Sequence, residues 1–183
     1  MRPKRMKQQV IAVVGTKKSG KTTTIENLIR ELTNRGYKVA AIKHVPESGH
    51  TIDTPGKDTW RYAQAGAKTI ISVAANEIAT IEKTPGENVK LDALIRKCKG
   101  NDIVFIEGLK KRVAKRKGIS KIVVAKTMDE AVSALEVYKP ILAFSGPYST
   151  ESLNFQIPYA DAKENSEKLA DIVENKLLRK DNA

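Results

Sequence analysis

The sequence of 183 residues is 40% hydrophobic and 30% charged, which suits one globular domain and excludes a wholly disordered chain. Its net charge of +12 indicates attraction to phosphates, nucleic acid or an acidic partner, or else a solvated lysine-rich surface. No apolar run approaches the roughly 18 residues of a membrane span, and none forms a signal peptide, so we expect a cytoplasmic protein without membrane contact.

Short β-branched runs alternate with helical stretches, a pattern typical of βαβ units and of a mostly parallel sheet flanked by helices. In chain order, strands are predicted at 9–14, 38–43, 69–74, 78–82, 102–107, 122–125 and 141–145. Helices are predicted at 21–34, at 57–65, at 88–99 with Asn88 as its cap, and at 163–180. A short helix is also predicted to begin at 127–130, where Thr127 and Glu130 have the spacing of a capping box. The tight turn after 69–74 predicts an antiparallel hairpin. We expect one domain over 1–183, of which 1–8 form a basic tail.

The strongest functional signal is the motif G-x-x-x-x-G-K-[ST], which follows the first predicted strand and begins the first helix. Its glycines let backbone N–H groups surround a phosphate, and the helix adds the positive end of its dipole. We expect Lys21 to contact the β- and γ-phosphates and Thr22 to ligate Mg²⁺. The residues predicted to bind the nucleotide are Gly15, Thr16, Lys17, Lys18, Ser19, Gly20, Lys21, Thr22 and Thr23. The motif predicts a nucleotide-binding domain with a P-loop NTPase fold.

An acidic partner for the metal is expected at the carboxyl end of a neighbouring strand, and Glu107 occupies that position after the apolar run 103–106. The usual residue is Asp, so the longer Glu107 side chain would hold Mg²⁺ through a water or polarise the attacking water. We therefore predict Lys21 and Glu107 as the catalytic residues. The competing interpretation is a strand-terminal carboxylate paired with a lysine.

Both histidines, His44 and His50, lie in one polar loop with Asp53. A transition-metal site is one interpretation, but the loop lacks a compact His-x-x-His pattern and polar loop residues are the more ordinary explanation. The loop follows the second strand, so we expect it near the phosphate loop. We predict Asp53 as a Mg²⁺ ligand, with Lys43 and Lys57 in reach of phosphates.

Four stretches of the sequence resemble the molybdopterin-guanine dinucleotide biosynthesis protein B family. They are the phosphate loop at 15–22, Ala-Ile-Lys-His at 41–44, the run His-Thr-Ile-Asp-Thr-Pro-Gly-Lys-Asp at 50–58 continuing to 67, and Ile-Glu-Gly-Leu-Lys at 106–110. The resemblance implies a small P-loop protein that binds GTP with Mg²⁺, hydrolyses it slowly and forms a homodimer. It also implies an accessory role in attaching GMP to molybdopterin, with a separate molybdopterin guanylyltransferase as partner and with molybdopterin itself as a further candidate ligand.

The resemblance places Lys21 and Thr22 on phosphate and metal, and Asp53 and Glu107 near the metal. The sequence contains no Asn-Lys-x-Asp guanine-recognition motif, so the preference for GTP rests on the resemblance and ATP stays open.

Residues 108–118 are predicted to form a basic loop, in which the stretch 110–117 holds six cations in eight residues. It suits a nucleic-acid patch, a site for the molybdopterin phosphate or an acidic partner, or a solvated loop. Aromatic residues are scarce at 5%, which disfavours nucleic acid. Besides the weak accessory GTPase, three functions stay open: a small-molecule kinase, an ATP-dependent nucleic-acid-binding protein, and a nucleotide-binding adaptor without useful turnover.

Overall fold

The structure is a computed structural model that describes residues 7–47, 49–85, 89–153 and 155–178. The strands are β1 Gln9–Gly15, β2 Val39–Lys43, β3 Thr69–Val73, β4 Ile78–Glu82, β5 Ile103–Glu107, β6 Ser120–Val124 and β7 Ile141–Ser145. The helices are α1 Lys21–Asn34, α2 Asp58–Gln64, α3 Leu91–Lys97, α4 Lys110–Val113, α5 Met128–Val137 and α6 Ser166–Val173. A 3₁₀ turn lies at Glu151–Leu153, and a π-helical segment, Glu174–Leu178, continues α6. No helix among these residues is long and apolar enough to cross a membrane.

The chain divides into two compact units, one made of 1–44 with 95–183 and the other of 45–94. The first unit contains a five-stranded sheet in the order β2-β5-β1-β6-β7, in which all paired strands are parallel. Their carboxyl ends therefore meet at one edge, where Glu107 pairs in register with Val13 on one side and Lys43 on the other. The central strands β1 and β5 are buried along most of their length, as expected for a parallel sheet covered on both faces.

Helices α1 and α6 pack together and against the sheet. The buried positions Ile25, Leu28 and Leu32 of α1 join Leu169 and Val173 of α6 in one apolar cluster. The periodicity of α1 predicted this face, and the bounds 21–34 are confirmed. Helix α6 begins only at Ser166 because Asn165 caps it, accepting a hydrogen bond from the Lys168 N–H.

One arginine at the end of α1 connects this helix to α6. The Arg35 guanidinium lies 2.9 Å from Glu31, 2.7 Å from Asp171 and 2.9 Å from Glu174. Burial by itself lowers the pKa of Arg35, but the hydrogen bonds to the three carboxylates raise it above its ordinary value. The guanidinium therefore stays charged and cross-links two elements that are far apart in the sequence.

Lysine 121 lies inside β6 and is fully buried. Its ammonium donates hydrogen bonds to the carbonyl oxygens of Arg116, Ile119 and Lys139 at 2.8, 2.8 and 2.6 Å. Burial lowers the pKa of Lys121 to about 8. The Lys121 ammonium therefore connects the turn that precedes β6 to Lys139, which precedes β7.

The second unit contains α2 and the antiparallel β3–β4 hairpin, whose register pairs Thr69 with Glu82 and Val73 with Ile78. The Ala74 N–H donates to the Glu77 carbonyl at 2.8 Å and closes the predicted turn. One face of the hairpin exposes Ile71, Val73 and Ile78, with exposed fractions of 62%, 73% and 70%. The α/β fold, with a parallel sheet flanked by helices and an antiparallel hairpin, is thus confirmed.

Two local predictions differ from the structure or lie outside it. The stretch 108–118 was predicted as a loop, but Lys110–Val113 forms one helical turn, α4. Leu109 adopts a left-handed conformation with φ of 50°, and its carbonyl accepts the Arg112 N–H at 2.8 Å, which starts the turn. The proposed cap Asn88 lies outside the described residues, and α3 begins at Leu91.

Candidate functional site

The phosphate loop connects β1 to α1 at the carboxyl edge of the sheet. Gly15 must be glycine, because a Cβ there would lie 2.4 Å from the Val124 carbonyl oxygen of the neighbouring strand. Gly20 has φ of 99°, a left-handed value that favours glycine. The Gly20 carbonyl accepts both the Thr24 N–H at 2.9 Å and the Thr24 hydroxyl at 3.0 Å. The sequence motif therefore corresponds to a tight turn fixed at both ends.

Lys21 lies across this loop, and its ammonium donates to the Thr16 carbonyl at 2.5 Å. Burial lowers the pKa of Lys21, and the nearby charge of Lys110 lowers it further, although Glu107 has the opposite effect. Positive charge thus exceeds negative charge around this ammonium. A bound anion would restore the balance, which makes the loop electrostatically suited to phosphate.

Glu107 brings the predicted metal ligands of the first unit together. The Thr22 hydroxyl lies 3.1 Å from each of the two Glu107 carboxylate oxygens, and the Lys43 ammonium lies 3.4 Å from Oε2. A hydroxyl and a carboxylate are hard oxygen donors, the type that Mg²⁺ prefers, so these residues fit the ion. The Lys43 contact is also the ion pair that the competing interpretation predicted.

Close packing against His44 explains why a glycine, Gly108, follows Glu107. A Cβ on Gly108 would lie 2.9 Å from the Cβ of His44, and the His44 N–H donates to the Glu107 carbonyl at 2.9 Å. The end of β2 therefore packs directly on the end of β5. This close approach fixes the backbone that carries the Glu107 carboxylate.

Glu130, which the sequence indicates only as part of a capping box, also contacts the phosphate loop. The Thr16 hydroxyl donates to Glu130 Oε1 at 2.9 Å, and the Lys126 N–H donates to Oε2 at 2.8 Å. Burial raises the pKa of Glu130, but the hydrogen bonds from Lys126 and Thr16 outweigh it and hold the pKa below its ordinary value. The Thr127 hydroxyl accepts the Glu130 N–H at 3.3 Å, so the predicted cap at Thr127 is present.

The remaining predicted loop residues differ in burial. Lys17, Lys18 and Thr23 are exposed, whereas Ser19 is buried and its hydroxyl has no hydrogen-bond partner among the described residues. The exposed cations are accessible to an incoming anion. The Ser19 hydroxyl oxygen lies 2.7 Å from the position that a Cβ on Gly15 would take, so the residues beneath the loop are tightly packed.

Asp53 lies in the second unit. Its Oδ1 accepts hydrogen bonds from the Thr59 hydroxyl at 2.8 Å and the Thr54 N–H at 3.0 Å. Its Oδ2 is buried and has no hydrogen-bond partner among the described residues. A carboxylate oxygen in this state suits a cation, and the role of Asp53 as a metal ligand stays a prediction.

The sequence is similar to proteins of one known family. The family described as "MobB: Molybdopterin guanine dinucleotide synthesis protein B" matches residues 10–145. A putative molybdopterin-guanine dinucleotide biosynthesis adapter protein of Methanocaldococcus jannaschii is 38% identical over 121 residues, 66% of this chain and 49% of that protein. A molybdopterin-guanine dinucleotide biosynthesis adapter protein of Haemophilus influenzae is 37% identical over 105 residues, 55% of this chain and 57% of that protein. The matches span about half the length of these relatives.

Solved structures show the same architecture. A crystal structure of molybdopterin-guanine biosynthesis protein B is similar with a TM-score of 0.70 and 26% identity, covering 92% of this chain and 98% of that one. The structure of Bacillus subtilis MobB gives a TM-score of 0.72 at 24% identity, covering 93% and 99% of the two chains, and is evidence for the fold alone. The match to the family over residues 10–145 spans most of the chain and includes both the phosphate loop and Glu107, so this chain belongs to the molybdopterin guanine dinucleotide synthesis protein B (MobB) family.

Proposed function

We propose that this chain is an adapter in molybdopterin-guanine dinucleotide biosynthesis that binds GTP with Mg²⁺ in a single P-loop nucleotide-binding domain. The observation that carries the proposal is the cluster of Lys21, Thr22 and Glu107 at the end of a fully formed phosphate loop. The names of the relatives support the pathway, since those proteins are described as adapters in this biosynthesis.

Phosphate binding would use groups that are already oriented. The loop N–H groups and the amino end of the 14-residue helix α1 attract the anion. The Lys21 ammonium, held on the Thr16 carbonyl, would turn to the β- and γ-phosphates. This exchange replaces one neutral acceptor by a charged one, which strengthens the hydrogen bond.

Mg²⁺ would be held by the Thr22 hydroxyl and by Glu107, the latter directly or through a water, and the ion neutralises phosphate charge when bound. Asp53 stays a further proposed Mg²⁺ ligand, as its place in the family-like stretch 50–58 implies. Its Oδ2, which is buried and has no hydrogen-bond partner among the described residues, supports a role in holding a cation.

Slow hydrolysis is part of the proposal. Glu107 is the proposed group for polarising the attacking water, but its oxygens already face Thr22 and Lys43. A carboxylate committed to a metal ligand and a lysine is a weak general base. We therefore propose a weak GTPase whose nucleotide state serves assembly with a molybdopterin guanylyltransferase rather than rapid turnover.

Homodimer formation is proposed from the second unit. The exposed face formed by Ile71, Val73 and Ile78 lies on a two-stranded hairpin, an arrangement that is only marginally stable on its own in water. A second copy would cover this apolar face. Sedimentation of the wild type and of the Val73→Lys variant tests it, because a charge in a buried interface should produce a monomer.

Calorimetric titration with GTP and ATP, each with and without Mg²⁺, tests the nucleotide. We expect binding that prefers GTP and requires Mg²⁺, and we expect Lys21→Ala to lose it while its circular dichroism spectrum is retained. Lys99→Ala, at an exposed lysine that precedes β5 at the end of the sheet opposite the phosphate loop, is the matched control and should bind like wild type. A preference for ATP, or unchanged affinity in Lys21→Ala, would contradict the proposal.

A further inference from the structure

A cavity of about 350 Å³ lies between β6 and α5, beside the phosphate loop. Its inner wall is apolar and is formed by Val123, Val124, Ala134 and Tyr138, all of them buried or nearly so. Its rim is polar and includes Asp129 and Ser133 on α5. The volume lies at the small end of the range for small-molecule sites, and an apolar wall with a few polar groups is their usual composition.

The cavity shares a wall with the proposed nucleotide site. Gly15 and Thr16 of the phosphate loop line it, and so does Lys110. Glu130 also lines it but already accepts hydrogen bonds from Thr16 and Lys126. Asp129 differs, because no described residue forms a hydrogen bond or ion pair with its carboxylate. Asp129 is therefore the acceptor that is available to an occupant.

A carboxylate on the rim of an apolar cavity favours a particular ligand chemistry. The two oxygens of a carboxylate match two adjacent N–H donors on the edge of a flat ring, while apolar side chains pack on the ring faces. The 2-amino-4-oxopyrimidine edge of guanine and of pterins has this pair of donors, a ring N–H next to an amino group. Adenine does not have it. A two-ring heterocycle of this kind also suits the volume of the cavity.

We propose that this cavity binds a heterocycle with a 2-amino-4-oxopyrimidine edge, which Asp129 recognises. The inference deepens the proposed function, because such rings occur in both the guanine and the pterin parts of the product of this biosynthesis. Lys110 at the cavity would face an anionic substituent of the ligand. The cavity would then place the ring next to phosphate groups bound at the loop.

The test uses the purified full chain and three probes: pterin, whose fluorescence reports binding directly, guanosine and adenosine. Ser133→Trp fills the cavity from an exposed position of α5, and Val132→Trp, at the adjacent exposed residue that does not line the cavity, is its matched control. Asp129→Asn replaces one of the two acceptor oxygens by an NH₂ donor, and Glu136→Gln on the same helix is the control for charge.

We expect saturable binding of pterin or guanosine but not of adenosine. Ser133→Trp should weaken it at least tenfold because the indole occupies the cavity. Asp129→Asn should weaken it about tenfold because one donor of the ring is left without an acceptor, while both control variants bind like wild type. The probe that binds identifies the source of the ring. Absence of saturable binding by both, or equal affinity in wild type and Ser133→Trp, would overturn the proposal.

Lys21→Ala separates this inference from the proposed function. If the variant loses GTP but keeps the ring probe, the cavity is an independent site. If wild type binds GTP normally but neither pterin nor guanosine, the cavity proposal fails and the nucleotide proposal survives.

Discussion

Replacing Glu107 by glutamine should change GTP affinity in opposite directions with and without Mg²⁺: affinity should fall when the ion is present and rise when it is absent. The substitution keeps the shape of the side chain and an oxygen acceptor for the Thr22 hydroxyl, which lies 3.1 Å away in the wild type. It removes the negative charge that would face the metal. It also removes the partner of Lys43, whose ammonium lies 3.4 Å from Oε2.

With Mg²⁺ present, the variant loses a charged metal ligand, and we expect GTP affinity to fall about 10- to 100-fold, the effect of removing one group that holds or orients a metal. Without Mg²⁺, the wild-type carboxylate would repel the phosphates of a nucleotide bound at the loop. At an effective dielectric constant near 20, two unit charges roughly 4–8 Å apart repel by about 2–4 kcal/mol before screening. Glu107→Gln should therefore bind metal-free GTP more tightly than the wild type, by roughly threefold or more.

The assay is calorimetric titration of GTP at fixed ionic strength, with Mg²⁺ or with a chelator. The matched control is Asp102→Asn at the opposite end of β5, where the carboxylate accepts the Lys38 N–H at 2.8 Å and faces no phosphate group. An equal Mg²⁺ enhancement of affinity in wild type and Glu107→Gln would refute the assignment of Glu107 to the metal.

Two further predictions concern stability. Arg35→Ala should lower the free energy of unfolding by about 2 kcal/mol, because it leaves three carboxylates without their shared cation. Its control is Arg30→Ala, which breaks one exposed ion pair with Glu26 and should lower the free energy of unfolding by less than about 0.5 kcal/mol. Urea unfolding of both variants and of the wild type measures the two effects. Lys121→Met should cost about 2–3 kcal/mol at pH 7, since three carbonyls lose their donor. The pKa of Lys121 is about 8 in the folded chain against an ordinary 10.5, so between these pH values the unfolded chain binds more protons than the folded chain. The contribution of Lys121 to wild-type stability therefore rises with pH over this range. The difference in free energy of unfolding between wild type and Lys121→Met should widen from pH 7 to pH 9.5.

The parts of the site that were predictable are those fixed by short stretches of sequence. The phosphate loop has its whole signal within eight residues, and Glu107 is indicated by the apolar strand that precedes it. The parallel order of the strands then brings Thr22 and Glu107 together, although 85 residues separate them. Local pattern and fold class were sufficient for this pair.

Contacts made by polar groups across the fold were not predictable in this way. Glu130 has a clear local explanation as part of a capping box, and its bond to Thr16 depends on a residue 114 positions away. Lys121 reads as an ordinary charged residue at the start of a strand, yet its burial depends on carbonyls supplied by a turn and by Lys139. A single sequence contains no periodic signal for either contact.

Thr16 connects these observations. Its carbonyl accepts the Lys21 ammonium, and its hydroxyl donates to Glu130, which the Lys126 N–H holds in turn. If a phosphate takes Lys21 as proposed, the Thr16 carbonyl would lose its partner but the Thr16 hydroxyl would keep its own, so the loop would stay anchored to the start of α5. Nucleotide binding would then need a movement of one lysine side chain and no refolding of the loop. Such binding would cost little ordering entropy, and the bond from Thr16 to Glu130 would hold the wall of the neighbouring cavity in place with or without the nucleotide.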